Sequence, residues 1–220
     1  MTISIDKRNF SSVVGYPLIV DLTGRRCVVI GGGGVAERKV AGLLAAKAAV
    51  TVVSPKLSEG LEARAARREI EVERRRYRRG DLAGASLAFV ATGDPRLAAA
   101  IAREGRSQGV WVNAADDPEH CDFFLPSVLR RGPLLVAVST GGGSPALARA
   151  VREEIERWLP ADYADLAGTV AEVRRELRTR GVSPDASAWN RALSAEMRRL
   201  ITDGGRHEAR ARLLSSLGAA

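Results

Sequence analysis

Residues 28–39 read Val-Val-Ile-Gly-Gly-Gly-Gly-Val-Ala-Glu-Arg-Lys, and this stretch decides the fold of the first half of the chain. The apolar run that ends at Ile30 is typical of a buried parallel strand, and the segment after the glycines favours a helix. Gly31-x-Gly33-x-x-Ala36 fits the G-x-G-x-x-G/A dinucleotide fingerprint, in which the glycines allow a tight turn and the approach of a pyrophosphate. The stretch therefore predicts a dinucleotide-binding strand–helix unit rather than a flexible glycine loop.

Strands and helices alternate through the rest of the first half. We predict strands over 27–30, 50–53, 70–77, 87–91 and 110–114, and helices over 35–46, 57–68 and 95–108. Repeated units of this kind imply a parallel sheet with right-handed crossovers, and such sheets bind ligands at the carboxyl ends of their strands. We therefore expect one crevice that contains the residues at those ends: Gly31, Gly33, Gly34, Ser54, Thr92, Gly93 and Asn113.

The pattern changes after the fifth strand. We predict an antiparallel strand pair over 123–129 and 134–139, a helix from Pro145 to Trp158, and charged helices over 163–180, 186–202 and 206–217. The fold class is therefore α/β, with a Rossmann-like parallel sheet followed by a small α+β dimerisation region and a C-terminal helical domain. The corresponding domains are residues 1–115, 116–159 and 160–220.

Composition limits the classes of function. The net charge of +8 suits an anionic small molecule in a basic cleft, whereas the arginine cluster at 74–79 has no recognisable nucleic-acid-binding fold around it. No apolar run is long enough to span a bilayer, and residues 1–8 lack the apolar stretch of a signal peptide. Two cysteines without a Cys-x-x-Cys spacing do not build a disulfide framework. We predict a cytoplasmic protein that binds neither nucleic acid nor membrane.

The second strand ends in Val53-Ser54-Pro55-Lys56, where many NAD-binding folds place a carboxylate on the ribose hydroxyls. Ser54 can bond a ribose hydroxyl, and Lys56 can tolerate a 2′-phosphate. The sequence therefore leaves the choice between NAD and NADP open.

Asp116 follows the fifth strand, at the mouth of the expected crevice. A carboxylate there can act as a general base if burial raises its pKa. The alternative is a turn aspartate before Pro118, and Asp117 is the stronger candidate for that structural role.

A second glycine loop, Thr140-Gly141-Gly142-Gly143-Ser144-Pro145, leads into a helix N-terminus. Such a terminus can bind an anion, but the glycines are equally explained by a strand-to-helix connection. No spacing of His120, Cys121 and His207 with carboxylates suggests a permanent metal site.

Five segments together resemble the precorrin-2 dehydrogenase/sirohydrochlorin ferrochelatase family, which forms the amino-terminal module of siroheme synthase. The opening runs from Tyr16-Pro17-Leu18 through the glycine stretch to Lys39. The others are Val90-Ala-Thr-Gly-Asp94, Trp111-Val-Asn-Ala-Ala-Asp116, Phe123-Phe-Leu-Pro-Ser127 and Val136-Ala-Val-Ser-Thr-Gly-Gly-Gly-Ser-Pro-Ala-Leu-Ala-Arg149. The resemblance is specific from about Tyr16 to Leu159 and loose beyond. The chain looks like the stand-alone form of the module, without the methyltransferase part.

The resemblance implies an NAD-dependent oxidation of precorrin-2 to sirohydrochlorin by a homodimer, with the substrate near the subunit interface. It implies that Asp116 carries the chemistry and that the dinucleotide contacts Gly34, Val35, Pro55 and Lys56. A carboxylate-rich tetrapyrrole suits the basic charge, and we assign its binding to the second glycine loop, at Thr140, Gly141, Gly142 and Ser144. Some family members also insert ferrous iron into sirohydrochlorin, and the sequence leaves that activity open.

Two other functions compete with this prediction. A dinucleotide-sensing regulatory module shares the strand–helix pattern of the first 113 residues, but it requires neither Asn113-x-x-Asp116 nor the second glycine loop. A dehydrogenase acting on a different substrate is the other alternative. Loss of the Asp116 carboxylate separates the sensor from the enzyme, because only an enzyme would lose turnover while still binding NAD.

Overall fold

The computed structural model describes residues 15–218, so the residues on which we based the absence of a signal peptide lie outside the described part. The chain divides into two compact units, one ending at Leu125 and the other beginning at Pro126. Within residues 15–218, no helix has both the length and the apolar character that crossing a membrane would require.

The first unit is a Rossmann-like α/β fold. Its five strands are all parallel and lie in the order β3-β2-β1-β4-β5, which confirms the predicted fold class. The elements follow one another as β1 (Arg26–Ile30), α1 (Gly34–Ala45), β2 (Ala49–Val53), α2 (Glu59–Ala66), β3 (Glu71–Glu73), β4 (Leu87–Val90), α3 (Pro95–Gln108), β5 (Trp111–Ala114) and a short 3-10 helix at Pro118–His120.

Alternating side chains on the strands divide the core of this unit between the two faces of the sheet. Val29 of β1 packs in one cluster with Ala36 and Val40 of α1, and Val28 packs in the other cluster with Ile101 of α3. All five side chains are fully buried. The β1 strand is thus covered on both faces, which explains its continuous apolar sequence.

The edge strand β3 is shorter than the predicted span of residues 70–77. The chain turns sharply after Glu73, whose carbonyl accepts a hydrogen bond from the Arg75 amide at 2.8 Å. The Arg75 guanidinium then pairs with Asp81, and the Tyr77 hydroxyl donates to Glu104 of α3. These side-chain bonds draw the segment away from β2, so its alternating pattern does not continue as a strand.

Residues 116–125 belong to the first unit, although we placed the domain boundary after residue 115. They return along β5, where the Asp122 amide donates to the Val112 carbonyl at 2.7 Å and the Asn113 side chain donates to the Phe123 carbonyl at 3.0 Å. The Phe123 ring packs edge-on against Phe89 with centroids 5.5 Å apart. Because residues 123–126 are held in this way, they do not form the predicted start of the next strand.

The second unit contains an antiparallel strand pair and five helices among the described residues. These are β6 (Ser127–Arg131), β7 (Leu134–Val138), α4 (Pro145–Trp158), α5 (Tyr163–Thr179), α6 (Ala186–Ala192), α7 (Ala195–Thr202) and α8 (Arg206–Ser216). Helix α4 packs on both strands, and α5 packs against α7 and α8. The apolar positions of the last four helices form one cluster that includes Val173, Leu177 and Leu213, so these helices form a small bundle.

The predicted helix over 186–202 is two helices. Ser194 interrupts it, because its backbone is extended and its side chain accepts a hydrogen bond from the Met197 amide at 3.1 Å. A serine that satisfies a free amide in this way begins a new helix.

Candidate functional site

The loop that follows β1 is in close contact with the residues at the ends of β2 and β4. Gly31 has φ +120°, and a Cβ there would lie 2.3 Å from the carbonyl oxygen of Ala91 at the end of β4. Its amide donates to the Val53 carbonyl of β2 at 3.0 Å. A Cβ on Gly32 would lie 1.9 Å from the Lys56 carbonyl oxygen. Both positions therefore require glycine, and the loop is wedged between the ends of β2 and β4.

The N-terminus of α1 is open in front of this loop. Gly33 precedes the helix, no side chain caps it, and a Cβ on Gly33 or Gly34 would meet no atom within 4 Å. The first amides of a helix lack partners within the helix, and they carry the positive end of its dipole. Glu37 in the first turn is held by the Ser58 hydroxyl at 2.6 Å. This open, uncapped terminus fits the pyrophosphate of a dinucleotide.

The register of the strands brings the predicted crevice residues to one edge of the sheet. Ile30 is level with Val53 and Val90, and Val90 is level with Ala114. The residues after these strand ends therefore lie side by side around the topological switch point between β1 and β4.

Thr92 is an unusual residue at this edge. Its hydroxyl is buried and has no hydrogen-bond partner among the described residues, whereas buried polar groups in proteins nearly always have one. Gly93 beside it is exposed. A ligand group bound after β4 would provide the missing partner.

Two of the predicted dinucleotide contacts are already used within the protein. The Ser54 hydroxyl is buried and donates to the Lys56 carbonyl at 2.6 Å, so toward a ribose it can act only as an acceptor. The Asn113 amide is buried and bonds the Phe123 carbonyl, so it supports the turn after β5. Pro55 and Lys56 are exposed at the end of β2.

Asp116 lies in the turn after β5 and is exposed. Its φ of +59° places it in the left-handed region, which non-glycine residues adopt rarely and aspartate more readily than most. The turn is held by Cys121, whose thiol accepts from the Ala114 amide at 3.3 Å and has the carbonyls of Ala114 and Asp117 within reach of its single proton. Burial raises the pKa of the Cys121 thiol, which keeps it protonated and able to donate. The hydrogen bonds of Cys121 therefore hold the strained backbone at Asp116 in place.

Lys39 faces this turn from α1. Its ammonium lies 5.6 Å from the centroid of the Phe89 ring, and both Asp116 and Cys121 are close enough to act on its charge. Burial lowers the pKa of Lys39, and these two neighbours act in the opposite direction. A half-buried cation thus stands beside the candidate carboxylate.

The second glycine loop is closed by its own hydrogen bonds. The Thr140 hydroxyl accepts from the Ser144 amide at 2.9 Å and donates to the Ser144 carbonyl, and the Ser144 hydroxyl accepts from the Leu147 amide at 3.1 Å. Gly141 and Gly142 have φ of +63° and +90°. The structural explanation for these glycines therefore applies, and the Thr140 and Ser144 side chains shape the loop and cap α4.

Sequence reasoning missed one pair in the acidic turn. The His120 Nδ1 atom lies 2.7 Å from the Asp117 carboxylate, although we predicted no hydrogen-bond partner for this histidine. The spacing Asp-x-x-His was the available signal, but it means little unless a short helix brings the ends together. Among residues 15–218 no group of three His, Cys, Asp or Glu side chains is arranged to hold a metal ion.

Comparison with known proteins agrees with this geometry. Residues 18–127, half of the chain, match the family model described as putative NAD(P)-binding. The chain belongs to this NAD(P)-binding family. The membership supports the predicted nicotinamide dinucleotide cofactor. Residues 131–157 match a second model, described as sirohaem biosynthesis protein central.

Relatives of this NAD(P)-binding protein include siroheme synthases. That of Nitrosococcus oceani is 36% identical over 203 residues, which cover 91% of this chain and 43% of the relative. That of Methylobacillus flagellatus is 43% identical over 164 residues, which cover 74% of this chain and 35% of the relative. The chain thus spans less than half the length of these relatives.

One solved structure resembles both units. "SirC, precorrin-2 dehydrogenase" has a TM-score of 0.68 and 26% identity, and the match covers 94% of this chain and all of that one. The resemblance to the precorrin-2 dehydrogenase and siroheme synthase proteins that the sequence motifs indicated is therefore confirmed.

Proposed function

We propose that this chain catalyses the NAD-dependent dehydrogenation of precorrin-2 to sirohydrochlorin. The observation that carries the proposal is the exposed Asp116 carboxylate, held in a left-handed turn at the same sheet edge as the open N-terminus of α1. The similarity to a precorrin-2 dehydrogenase over the whole of that protein supports the choice of substrate.

The reaction removes a hydride and a proton from a reduced tetrapyrrole. Bound NAD supplies the hydride acceptor, and the protein provides position and electrostatics. The amides of Gly34 and Val35 would hold the pyrophosphate, and the partnerless Thr92 hydroxyl would bond a ligand group at the end of β4. We assign the dinucleotide contacts to Gly31, Gly33, Pro55 and Lys56 as well.

Asp116 would accept the proton at a carboxylate oxygen. Asp116 is exposed in this turn, and the Lys39 ammonium is close enough to it for the two charges to interact. In the second unit, the Gly142 amide would receive the substrate's carboxylates in the loop before α4. The Gly141 amide already donates to the Ser139 hydroxyl at 3.2 Å, and the Thr140 and Ser144 side chains are committed to the loop.

We also propose that the chain functions as a homodimer. Several large apolar side chains of the second unit are exposed, with Val128 at 41%, Leu147 at 55% and Trp158 at 83%. Exposed apolar patches on a protein commonly mark an interface. Sedimentation equilibrium tests this proposal. We expect a dimer for the wild type and a monomer for Leu147→Asp, and a monomeric wild type would refute the proposal.

We expect this dimer in the cytoplasm, where thiols such as Cys27 stay reduced.

The proposed dehydrogenation is tested by an anaerobic assay with enzymatically generated precorrin-2 and either NAD or NADP. We expect NADH formation together with the spectrum of sirohydrochlorin. Addition of ferrous ion to the same cuvette tests the ferrochelatase activity that the sequence left open, for which iron is a substrate. Protein that is folded and binds NAD but produces no NADH would contradict the dehydrogenase and favour the sensing module.

A further inference from the structure

Lys39 is the exception among the partly buried cationic side chains of the first unit. Among residues 15–125, the arginine and lysine side chains that are only partly exposed are those of Arg26, Lys39, Arg64 and Arg75. The three arginines all have partners, since Arg64 and Arg75 pair with carboxylates and Arg26 donates to backbone carbonyls. The Lys39 ammonium forms no hydrogen bond or ion pair with any of the residues 15–218. A partly buried charge of this kind ordinarily has a partner.

The contacts of Lys39 place its ammonium on the side of the sheet edge where the candidate base lies. The ammonium is 5.6 Å from the centroid of the Phe89 ring in β4, and this ring packs on Phe123 in the segment that follows Asp116. The charge of Asp116 acts on that of Lys39. Long side chains on a helix point back toward its N-terminus, and the N-terminus of α1 lies at the edge that binds the dinucleotide.

Packing alone is the alternative explanation for this lysine. Its stem is apolar, and an ammonium is attracted to the face of an aromatic ring. A ring face engages only one side of an ammonium, however, and the group has three N–H donors. The Lys39 ammonium is not among the buried polar atoms that lack a partner, so it is open to solvent. An anionic oxygen from outside the chain can therefore reach it.

We propose that Lys39 binds a carboxylate of the tetrapyrrole substrate beside Asp116. The inference rests on the proposed dehydrogenation, which brings a carboxylate-rich ring to this edge of the sheet. A carboxylate accepts strong, charge-assisted hydrogen bonds from an ammonium. A carboxylate held by Lys39 would anchor one side of the ring next to the candidate base.

The dinucleotide is the other source of anionic oxygens. We assign its pyrophosphate to the amides of Gly34 and Val35, in the first turn of α1. Lys39 follows Gly34 by five residues, which is about 7.5 Å along the helix axis. Its ring contact is with β4 rather than with the loop after β1. The substrate is therefore the favoured ligand, and the experiment must separate it from the dinucleotide.

Lys39→Met removes the charge and keeps an apolar stem of similar length, whereas Lys39→Arg keeps the charge. Lys47→Met is the matched control, because Lys47 follows α1 at the opposite edge of the sheet, where its carbonyl accepts from the Gly24 amide at 2.9 Å. Anaerobic calorimetric titrations measure the binding of sirohydrochlorin and, separately, of NAD.

We expect Lys39→Met to raise the dissociation constant for sirohydrochlorin about 10–100-fold, the usual effect of losing a charged hydrogen bond. KM for precorrin-2 should rise in parallel, with kcat and the affinity for NAD little changed, because the anchor holds substrate and transition state alike. Lys39→Arg and Lys47→Met should both bind sirohydrochlorin nearly as well as the wild type.

The outcomes separate this inference from the proposed function. A wild type that binds no sirohydrochlorin overturns both. A wild type that binds sirohydrochlorin but forms no NADH contradicts the dehydrogenation, and the titrations still decide the role of Lys39. Unchanged sirohydrochlorin affinity in folded Lys39→Met overturns the inference alone. An equal loss of NAD affinity in that variant, or an equal loss of sirohydrochlorin affinity in Lys47→Met, also overturns it. If Lys39→Met does not fold, Lys39→Gln carries the same test with the same expected result.

Discussion

Replacement of Gly31 by alanine should destabilise the protein strongly, and the structure gives the reason. The added Cβ would lie 2.3 Å from the Ala91 carbonyl oxygen and 2.9 Å from its carbon, both backbone atoms of the residue that follows β4. The residue's φ of +120° adds strain of about 1–3 kcal/mol, and the overlap adds about 1–3 kcal/mol more. We expect a loss of roughly 2–6 kcal/mol from a free energy of unfolding that is typically about 5–15 kcal/mol.

Urea unfolding followed by far-ultraviolet circular dichroism measures this loss as a lower midpoint at unchanged slope. Gly33→Ala is the matched control, because φ there is −91° and a Cβ meets no atom within 4 Å. Its unfolding free energy should stay within about 0.5 kcal/mol of the wild type. Its affinity for NAD should fall about tenfold or more, since the methyl group would occupy the space in front of α1. If Gly31→Ala were as stable as Gly33→Ala, the inference that Gly31 is confined between the ends of β2 and β4 would be wrong.

Three further predictions concern the turn, the thiols and the loop after β3. Asp116→Asn, which tolerates the left-handed backbone, should lower kcat by about 10²–10⁴-fold with NAD affinity unchanged, and equal turnover in steady-state assays would remove Asp116 from the chemistry. Cys27 and Cys121 are buried, and burial raises the pKa of both thiols, so Ellman's reagent at pH 8 should react with them only after unfolding. Burial raises the pKa of Asp81, but the hydrogen bond from the Arg75 guanidinium brings this pKa below its ordinary value. The Asp81 carboxylate therefore stabilises the folded protein above the unfolded-state pKa of about 3.9. This stabilisation is lost as the pH falls through the lower folded-state pKa. Acid titration of unfolding should therefore be shallower in Asp81→Asn, and identical curves would contradict this.

Most of the first unit was predictable because its signals are local and agree with one another. The strand before Gly31 is apolar from Cys27 to Ile30, since both faces are covered there, and the helix after it places the small Ala36 against the sheet. Helix α3 has its predicted bounds because Pro95 and Gly109 mark its ends. Residues that mark the ends of a helix in this way can be recognised in a single sequence.

The remaining differences arise from contacts distant along the chain. The predicted strand over 70–77 ends early because the Tyr77 hydroxyl donates a hydrogen bond to Glu104, which lies on α3. Residues 123–126 leave the predicted strand because Asn113 holds the Phe123 carbonyl. No periodicity in either segment encodes these partners, and only the folded structure brings them together.

The candidate site divides in the same way. Gly31 was predictable, since its φ of +120° and the Ala91 carbonyl beside it leave no place for a side chain. The role of Ser54 was not, because its hydroxyl finds the Lys56 carbonyl within the loop. The Asp117–His120 pair was not either, because its geometry depends on the turn that Cys121 fastens.

The segment that returns along β5 also has a consequence for solubility. A parallel sheet ends in an open edge whose unpaired amides and carbonyls invite another chain to add a strand. Here the outward groups of Val112 bond the backbone and side chain of Asp122, and those of Ala114 bond the Cys121 thiol. The turn that presents the candidate base is thus also a guard against aggregation through the sheet edge. Loosening this turn for a new substrate would expose that edge, so evolution of specificity here is constrained by colloidal stability as well as by chemistry.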